Sequence, residues 1–188
     1  PFVSLETPSV VEFNGQWHMF FTGVYSEGAP VPYAIGHATS PDGLTWTVQT
    51  WGLFVADAQT SWMSFLVAEP GAVVHNGQLI VYMSTRGPRP GGGPSLQSIA
   101  ASTSADGLTF STVQQVLTQA PIYPMQRGFT GYSSPAALSH NGAVHLFMSV
   151  VHEDVFDDPE WRQIGIQQAK SPDGLTALQQ AGQAELNL

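Results

Sequence analysis

The sequence contains no cysteine in its 188 residues. That absence removes disulfides, zinc–thiolate sites and thiol nucleophiles together, and it leaves the compartment open. Basic residues are almost as scarce: five Lys and Arg stand against fourteen Asp and Glu, for a formal net charge of −9. Nucleic-acid binding rests on Lys and Arg neutralising phosphates, so that class of partner is excluded. An anionic membrane surface is excluded on the same ground. No apolar run approaches the roughly 20 residues of a membrane-spanning helix. No stretch carries a sustained helical period.

What is present reads as a packed, turn-rich β protein. Hydrophobic residues make up 43% of the chain and charged residues only 10%, which rules out a disordered polyelectrolyte. Its 19 Gly and 14 Pro are dispersed, as many tight turns require. The order within the sequence is more specific. Pro8-Ser-Val-Val-Glu-Phe-Asn14-Gly15 returns as Pro70-Gly-Ala-Val-Val-His-Asn76-Gly77 and as Pro135-Ala-Ala-Leu-Ser-His-Asn141-Gly142. Downstream of each lies a second signature: Ser40-Pro-Asp42-Gly43-Leu-Thr45, Ser104-Ala-Asp106-Gly107-Leu-Thr109 and Ser171-Pro-Asp173-Gly174-Leu-Thr176. Two motifs in the same order, three times over, divide the chain into units of about 1–60, 61–125 and 126–188.

Each unit spells four strands. Asn-Gly between apolar runs marks a two-residue hairpin, whose central positions both need positive φ. It joins Ser9–Phe13 to Gln16–Thr22, Ala72–His75 to Gln78–Ser84, and Ala136–Ser139 to Ala143–Val150. Third strands are expected over Ala34–Thr39, Ser98–Ser102 and Gln163–Ala169. Fourth strands are expected after the Asp-Gly turns, near Thr45–Gln49 and Thr109–Val113. Asp42, Asp106 and Asp173 are turn residues in this reading, since their side chains accept backbone N–H bonds there. Repeated four-stranded antiparallel units predict an all-β propeller of three blades forming one domain over 1–188. Propellers close with four to eight blades. The chain is therefore expected to be part of a longer propeller, or to be completed by oligomerisation, for example as a homodimer with six blades. In a propeller the first strand of each blade lines the central channel, which brings Glu6, Glu69 and Ser133–Ser134 to a shared mouth.

Strands reading Pro8-Ser-Val-Val-Glu-Phe-Asn-Gly-Gln-Trp-His-Met-Phe-Phe-Thr22, followed by Ile35-Gly-His-Ala-Thr-Ser-Pro-Asp-Gly-Leu-Thr-Trp46, resemble the five-bladed propellers of glycoside hydrolase families 43 and 32. The resemblance covers all three units. It implies an Asp nucleophile or base on one blade and a Glu general acid on a later one, two residues before the Pro that opens an inner strand. Glu6-Thr7-Pro8 has that spacing, so the resemblance implies Glu6 as proton donor. No Asp precedes an inner strand in any unit, Glu69 stands directly before Pro70, and the third unit reads Ser-Ser-Pro. If the first unit is a third blade, two blades lie upstream and carry the Asp.

Glycoside hydrolysis ordinarily uses two carboxyl groups across one bond. Glu6 and Glu69 are the candidate catalytic pair, with hydrogen bonding to neighbouring strand starts as the structural alternative for each. Trp62 on the link between units one and two, and Tyr123, Phe129 and Tyr132 on the next link, offer flat faces for a sugar ring or for packing between blades. Arg86, Arg127 and His152 are candidate substrate contacts. Arg86, Arg89, Arg127 and Arg162 keep open a sialidase-like carboxylate site, although the Asp-Gly motif is one residue shorter than the Asp-box of that group. His18, His37, His75, His140 and His145 read as structural. The acidic stretch from His152 to Glu160 reads as a solvated loop without calcium-binding spacing. No metal or cofactor is expected. The leading expectation is hydrolysis of a plant or microbial glycan, with a carbohydrate ligand and an extracellular or periplasmic location inferred from that substrate class. The alternatives are a non-catalytic carbohydrate-binding propeller and a structural three-blade unit.

Overall fold

The computed structural model describes residues 2–29, 31–89, 91–92, 95–117, 129–152, 165–176 and 179–183. They form three four-stranded antiparallel sheets, each with its strands in chain order. Sheet one comprises β1 (Ser4–Phe13), β2 (Gln16–Val24), β3 (Tyr33–Ser40) and β4 (Thr47–Val55). Sheet two comprises β5 (Leu66–His75), β6 (Gln78–Gly87), β7 (Leu96–Ser104) and β8 (Gln114–Leu117). Sheet three comprises β9 (Phe129–His140), β10 (Ala143–His152), β11 (Ile166–Ser171) and β12 (Gln179–Gln183). One 3₁₀ turn, Ser61–Met63, lies on the link between sheets one and two. Three such sheets packed in sequence along β1, β5 and β9 are propeller blades.

Asn14, Asn76 and Asn141 stand at φ of 51°, 48° and 48°, each followed by a Gly at positive φ. These are the paired left-handed residues that the hairpin turn demands. The Asp-Gly turns are equally regular. Asp106 Oδ1 accepts the N–H groups of Leu108 and Thr109 at 2.8 and 2.7 Å and the Ser104 hydroxyl at 2.9 Å, while Ser104 Oγ accepts the Gly107 N–H at 2.8 Å. Asp42 and Asp173 repeat the pattern. Donors converging on one carboxylate stabilise its charged form. The N–H groups of Thr45 and Leu44 and the Ser40 hydroxyl hold Asp42 down at about 2, and Asp106 and Asp173 lie well below the usual carboxylate range for the same kind of reason. A folded value below the unfolded one means the stabilisation is complete above about pH 4 and is lost as pH falls toward 2. Urea midpoints are therefore expected to drop over that interval, and Asp106→Asn, which keeps an acceptor oxygen but no charge, should flatten the drop.

Strand assignments shift in two respects. The fourth strand of sheet two begins at Gln114 rather than within Thr109–Val113. Ser111 accounts for this: its Oγ accepts the Thr103 N–H at 3.0 Å, and its carbonyl accepts the Ser102 hydroxyl at 2.6 Å. A side chain thus replaces the ladder bond that a strand would make. The inner strands also begin earlier than expected, at Ser4, Leu66 and Phe129, and run through the prolines. Proline lacks the N–H for a ladder and is tolerated in a sheet at bulges and edges. Each inner strand breaks register here, between Glu6 and Ser9, between Ala68 and Gly71, and opposite Phe147 and Ser149.

The core lies between the sheets. Phe20, Ile35 and Phe54 of sheet one meet Val67, Leu79, Val81 and Met83 of sheet two. Ile80, Tyr82 and Ile99 of sheet two meet Tyr132, Val144, Leu146 and Met148 of sheet three. Alternation along each strand sends one set of side chains to the preceding sheet and the other to the following sheet.

Candidate functional site

The inner strands position the candidate carboxylates through their bulges. Thr7, Glu69 and Ser134, each directly before its proline, have φ of 47°, 53° and 51°. A β-branched residue such as Thr in this region is a genuine outlier, and such strain persists only where surrounding bonds impose it. Those bonds are visible. Thr7 Oγ1 and Thr22 Oγ1 share a hydrogen bond of 2.7 Å, and Thr22 Oγ1 accepts the Glu69 N–H of the next sheet at 2.7 Å. One sheet further on, the Ser84 hydroxyl donates to Glu69 Oε2 at 2.6 Å, and the Ser134 N–H reaches Glu69 Oε2 at 2.8 Å and Ser84 Oγ at 2.9 Å. A hydroxyl on the second strand thus ties its own bulge to the bulge of the following sheet. Sequence reading missed these hydroxyls. The signal was available, because Thr22, Ser84 and Ser149 each stand eight residues after the hairpin asparagine.

The two glutamates consequently occupy different places. Glu69 is itself a bulge residue, half-buried, with its carboxylate between the Ser84 hydroxyl and the Ser134 N–H. Glu6 is one residue ahead of a bulge, corresponding to Ala68 and Ser133, and pairs across to Thr22. It is exposed, receives the Ser4 hydroxyl at 3.3 Å, and stands at the edge of a cavity of about 380 Å³ lined with Leu5, Pro8, Met19, Trp46 and Trp51. Glu69→Gln is expected to fold with near-native stability, since an amide oxygen still accepts the Ser134 N–H. Glu69→Ala removes that acceptor and should cost about 1–3 kcal/mol in a urea titration.

The remaining candidates are dispersed. Trp62 lies in the 3₁₀ turn, partly buried against the core between sheets one and two. Tyr132 is fully buried in the core between sheets two and three, so its ring packs rather than faces the mouth. Arg86, near the end of β6, is exposed and its Nε donates to Ser95 Oγ. His152 ends β10, where its backbone pairs with Phe129. Arg127, Tyr123, Arg162 and the stretch 153–160 lie outside the described residues.

Histidines are built into the sheet contacts. His18 Nδ1 and His37 Nε2 are 3.1 Å apart in a buried pair, with His37 stacked on Phe20 at 4.7 Å. His75 bridges sheets two and three through Ser139 Oγ and the Pro172 carbonyl, each at 2.9 Å. Its Nε2 must donate to that carbonyl, which leaves Nδ1 to accept from the serine hydroxyl. Among the described residues no cluster of three or more His, Asp or Glu is arranged to hold a metal, and no helix is long and apolar enough to cross a membrane.

No family model and no curated protein matches the sequence. Solved structures do match its fold. Sucrose-6-phosphate hydrolase from Lactobacillus gasseri aligns over 98% of this chain and 35% of its own, at 18% identity and a TM-score of 0.70. A thermostable family-43 glycoside hydrolase aligns over 95% of this chain and 54% of its own, at 17% identity and a TM-score of 0.66. The family-32 β-fructofuranosidase of Bombyx mori aligns over 96% of this chain and 36% of its own, at 16% identity and a TM-score of 0.65. The chain thus spans about a third to a half of the length of these structures, and its three sheets have the fold of blades from five-bladed β-propeller glycoside hydrolases.

Proposed function

We propose that this chain is the acid-bearing part of a propeller glycoside hydrolase acting on a plant or microbial glycan, with Glu6 as the general acid. The observation that carries this reading is the contrast between the two glutamates beside the inner-strand bulges, Glu6 and Glu69. Glu6 is exposed to solvent, whereas the bonds to Glu69 belong to the contact between sheets. In this role protonated Glu6 donates its proton to the glycosidic oxygen as the C–O bond breaks, and a second carboxylate on the opposite face of the sugar acts as base or nucleophile. Fructofuranosidase and family-43 neighbours lend the substrate class by likeness of fold.

The test compares nitrophenyl and dinitrophenyl furanosides as substrates. A dinitrophenolate leaves without protonation, so Glu6→Gln is expected to lower turnover of the poorer leaving group by about 10²–10⁴-fold and to affect the better one far less. Equal activity of Glu6→Gln and the parent on both substrates would sink the assignment.

A second reading has its own support. The other described carboxylate beside an inner-strand bulge, Glu69, is engaged in the sheet contact and does not offer a ready partner for Glu6. That favours a carbohydrate-binding propeller without catalysis. Calorimetric binding of oligosaccharides with no turnover, unchanged by Glu6→Gln, is its expected signature.

A further inference from the structure

We infer that Thr7 and Thr22 are positioning residues for Glu6: their shared hydrogen bond holds the inner-strand bulge of sheet one and keeps the Glu6 carboxyl group out of it. This assignment rests on Glu6 as the general acid, and both threonines act only through it.

The same bulge is built differently in two sheets. Thr22 pairs with Glu6 and Ser84 pairs with Ala68, so each second-strand hydroxyl stands opposite the residue just ahead of the left-handed one. In sheet two the left-handed residue is Glu69, at φ 53°. Its own carboxylate accepts the Ser84 hydroxyl at 2.6 Å and the Ser134 N–H at 2.8 Å. A carboxylate so engaged serves the fold. In sheet one the left-handed residue is Thr7, at φ 47°, and its hydroxyl makes the equivalent bond of 2.7 Å to Thr22. Glu6 stands one residue earlier, exposed, with the neighbouring Ser4 hydroxyl at 3.3 Å. Glu-Thr-Pro in place of Glu-Pro thus hands the bulge to a hydroxyl and releases the carboxylate.

Conformation alone does not call for threonine at this position. A β-branched residue at positive φ is an outlier, and the residue before a proline is steered toward extended backbone. Glycine would take φ of 47° without that strain. What threonine adds is the hydroxyl. Its partner Thr22 is 2% exposed and is fixed from the other side, because its Oγ1 accepts the Glu69 N–H at 2.7 Å. The anchor of the bulge is therefore buried, while Glu6 and Thr7 are exposed. Side chains alternate faces along a strand, so a slip of one residue turns each of them to the opposite face. Without the Thr7–Thr22 bond, Thr7 relaxes toward extended backbone and the Glu6 carboxyl group leaves its present face.

Kinetics of hydroxyl-deleted variants on nitrophenyl and dinitrophenyl furanosides test this. Thr7→Val and Thr22→Val are expected to lower kcat on the nitrophenyl substrate by about 10–10²-fold with KM little changed, because a displaced acid misses the leaving oxygen. The dinitrophenyl rate, which needs no proton, should fall far less. Thr7→Ser and Thr22→Ser keep the hydroxyl and should recover most of the nitrophenyl rate. In a Glu6→Gln background Thr7→Val should have no further effect, since no acid is left to position. Thermal melts establish that each variant is folded. Thr7→Val keeps Thr22 as acceptor of the Glu69 N–H, so it carries the test if Thr22→Val does not fold. Equal losses on both substrates, or losses that persist undiminished in Glu6→Gln, would mean a structural role and overturn the inference. So would silent threonine variants beside a selective loss in Glu6→Gln, an outcome that leaves the acid assignment standing. A silent Glu6→Gln, or a parent that turns over neither substrate, would remove the acid assignment and this one with it.

Discussion

Gly71→Val is expected to abolish the native packing of sheet two on sheet three, with loss of more than about 4 kcal/mol of stability or failure to accumulate as soluble protein. A Cβ built at Gly71 falls 2.0 Å from the Pro135 carbonyl oxygen and 2.9 Å from its carbon. Both are backbone atoms of the neighbouring inner strand, so no rotamer change relieves the clash and the strands themselves must separate. Separation would also pull the Ser134 N–H away from Glu69 and Ser84, and His75 away from Ser139. Gly71→Ala should show most of the effect, because the offending atom is the Cβ itself. Thermal melts and soluble yield of both variants against the parent make the measurement. A melting temperature within a few degrees of the parent for either variant would show that β5 and β9 do not approach in this way.

Acidification from pH 6.5 to 4 should remove roughly 2–3 kcal/mol of stability, before the turn aspartates begin to titrate. His37 is buried between His18 and Phe20, and burial, with the neighbouring His18 charge second, brings its pKa from 6.5 down to about 4. His18 is lowered as well, chiefly by burial. A base with a depressed folded value takes up its proton more readily in the unfolded chain. Its stabilisation is therefore complete above pH 6.5, declines as pH falls, and levels off near the folded value. Urea midpoints between pH 4 and 8 give the profile. His37→Phe keeps a flat ring against Phe20 and Phe110 and should remove most of the slope, leaving a smaller part from His18. A slope that persists undiminished in His37→Phe would place its origin elsewhere.

Both results depend on contacts between sheets, and there the legibility of the sequence divides. Asn14-Gly15, Asn76-Gly77 and Asn141-Gly142 identify hairpins because the turn geometry is local: the residues needing positive φ are the ones named by the motif. Asp42, Asp106 and Asp173 are readable for the same reason, since donors and acceptor lie within five residues of one another. Thr109–Val113 misled because Ser111 competes for a strand hydrogen bond that alternation of residues does not register.

The candidate site was legible only in part. Glu-Thr-Pro singled out Glu6 as a candidate, and the expectation of a shared mouth rests on first strands being inner strands. The different surroundings of Glu6 and Glu69 were not readable, since they depend on which of two consecutive residues turns left-handed before the proline and on a hydroxyl from another strand. Tyr132 shows the same limit: its place on a link suggested the mouth, but β9 begins earlier and carries the ring into the core.

By itself, then, the sequence determined the strands, the hairpins, the threefold order of four-stranded units and the all-β class, because period-two patterning and turn chemistry act over a few residues. Tertiary structure alone decided that Thr22 and Ser84 tie one bulge to the next and that Gly71 must lack a side chain. Those facts depend on atoms brought within 3–4 Å by the packing of one sheet on another, a distance that no spacing along the chain encodes.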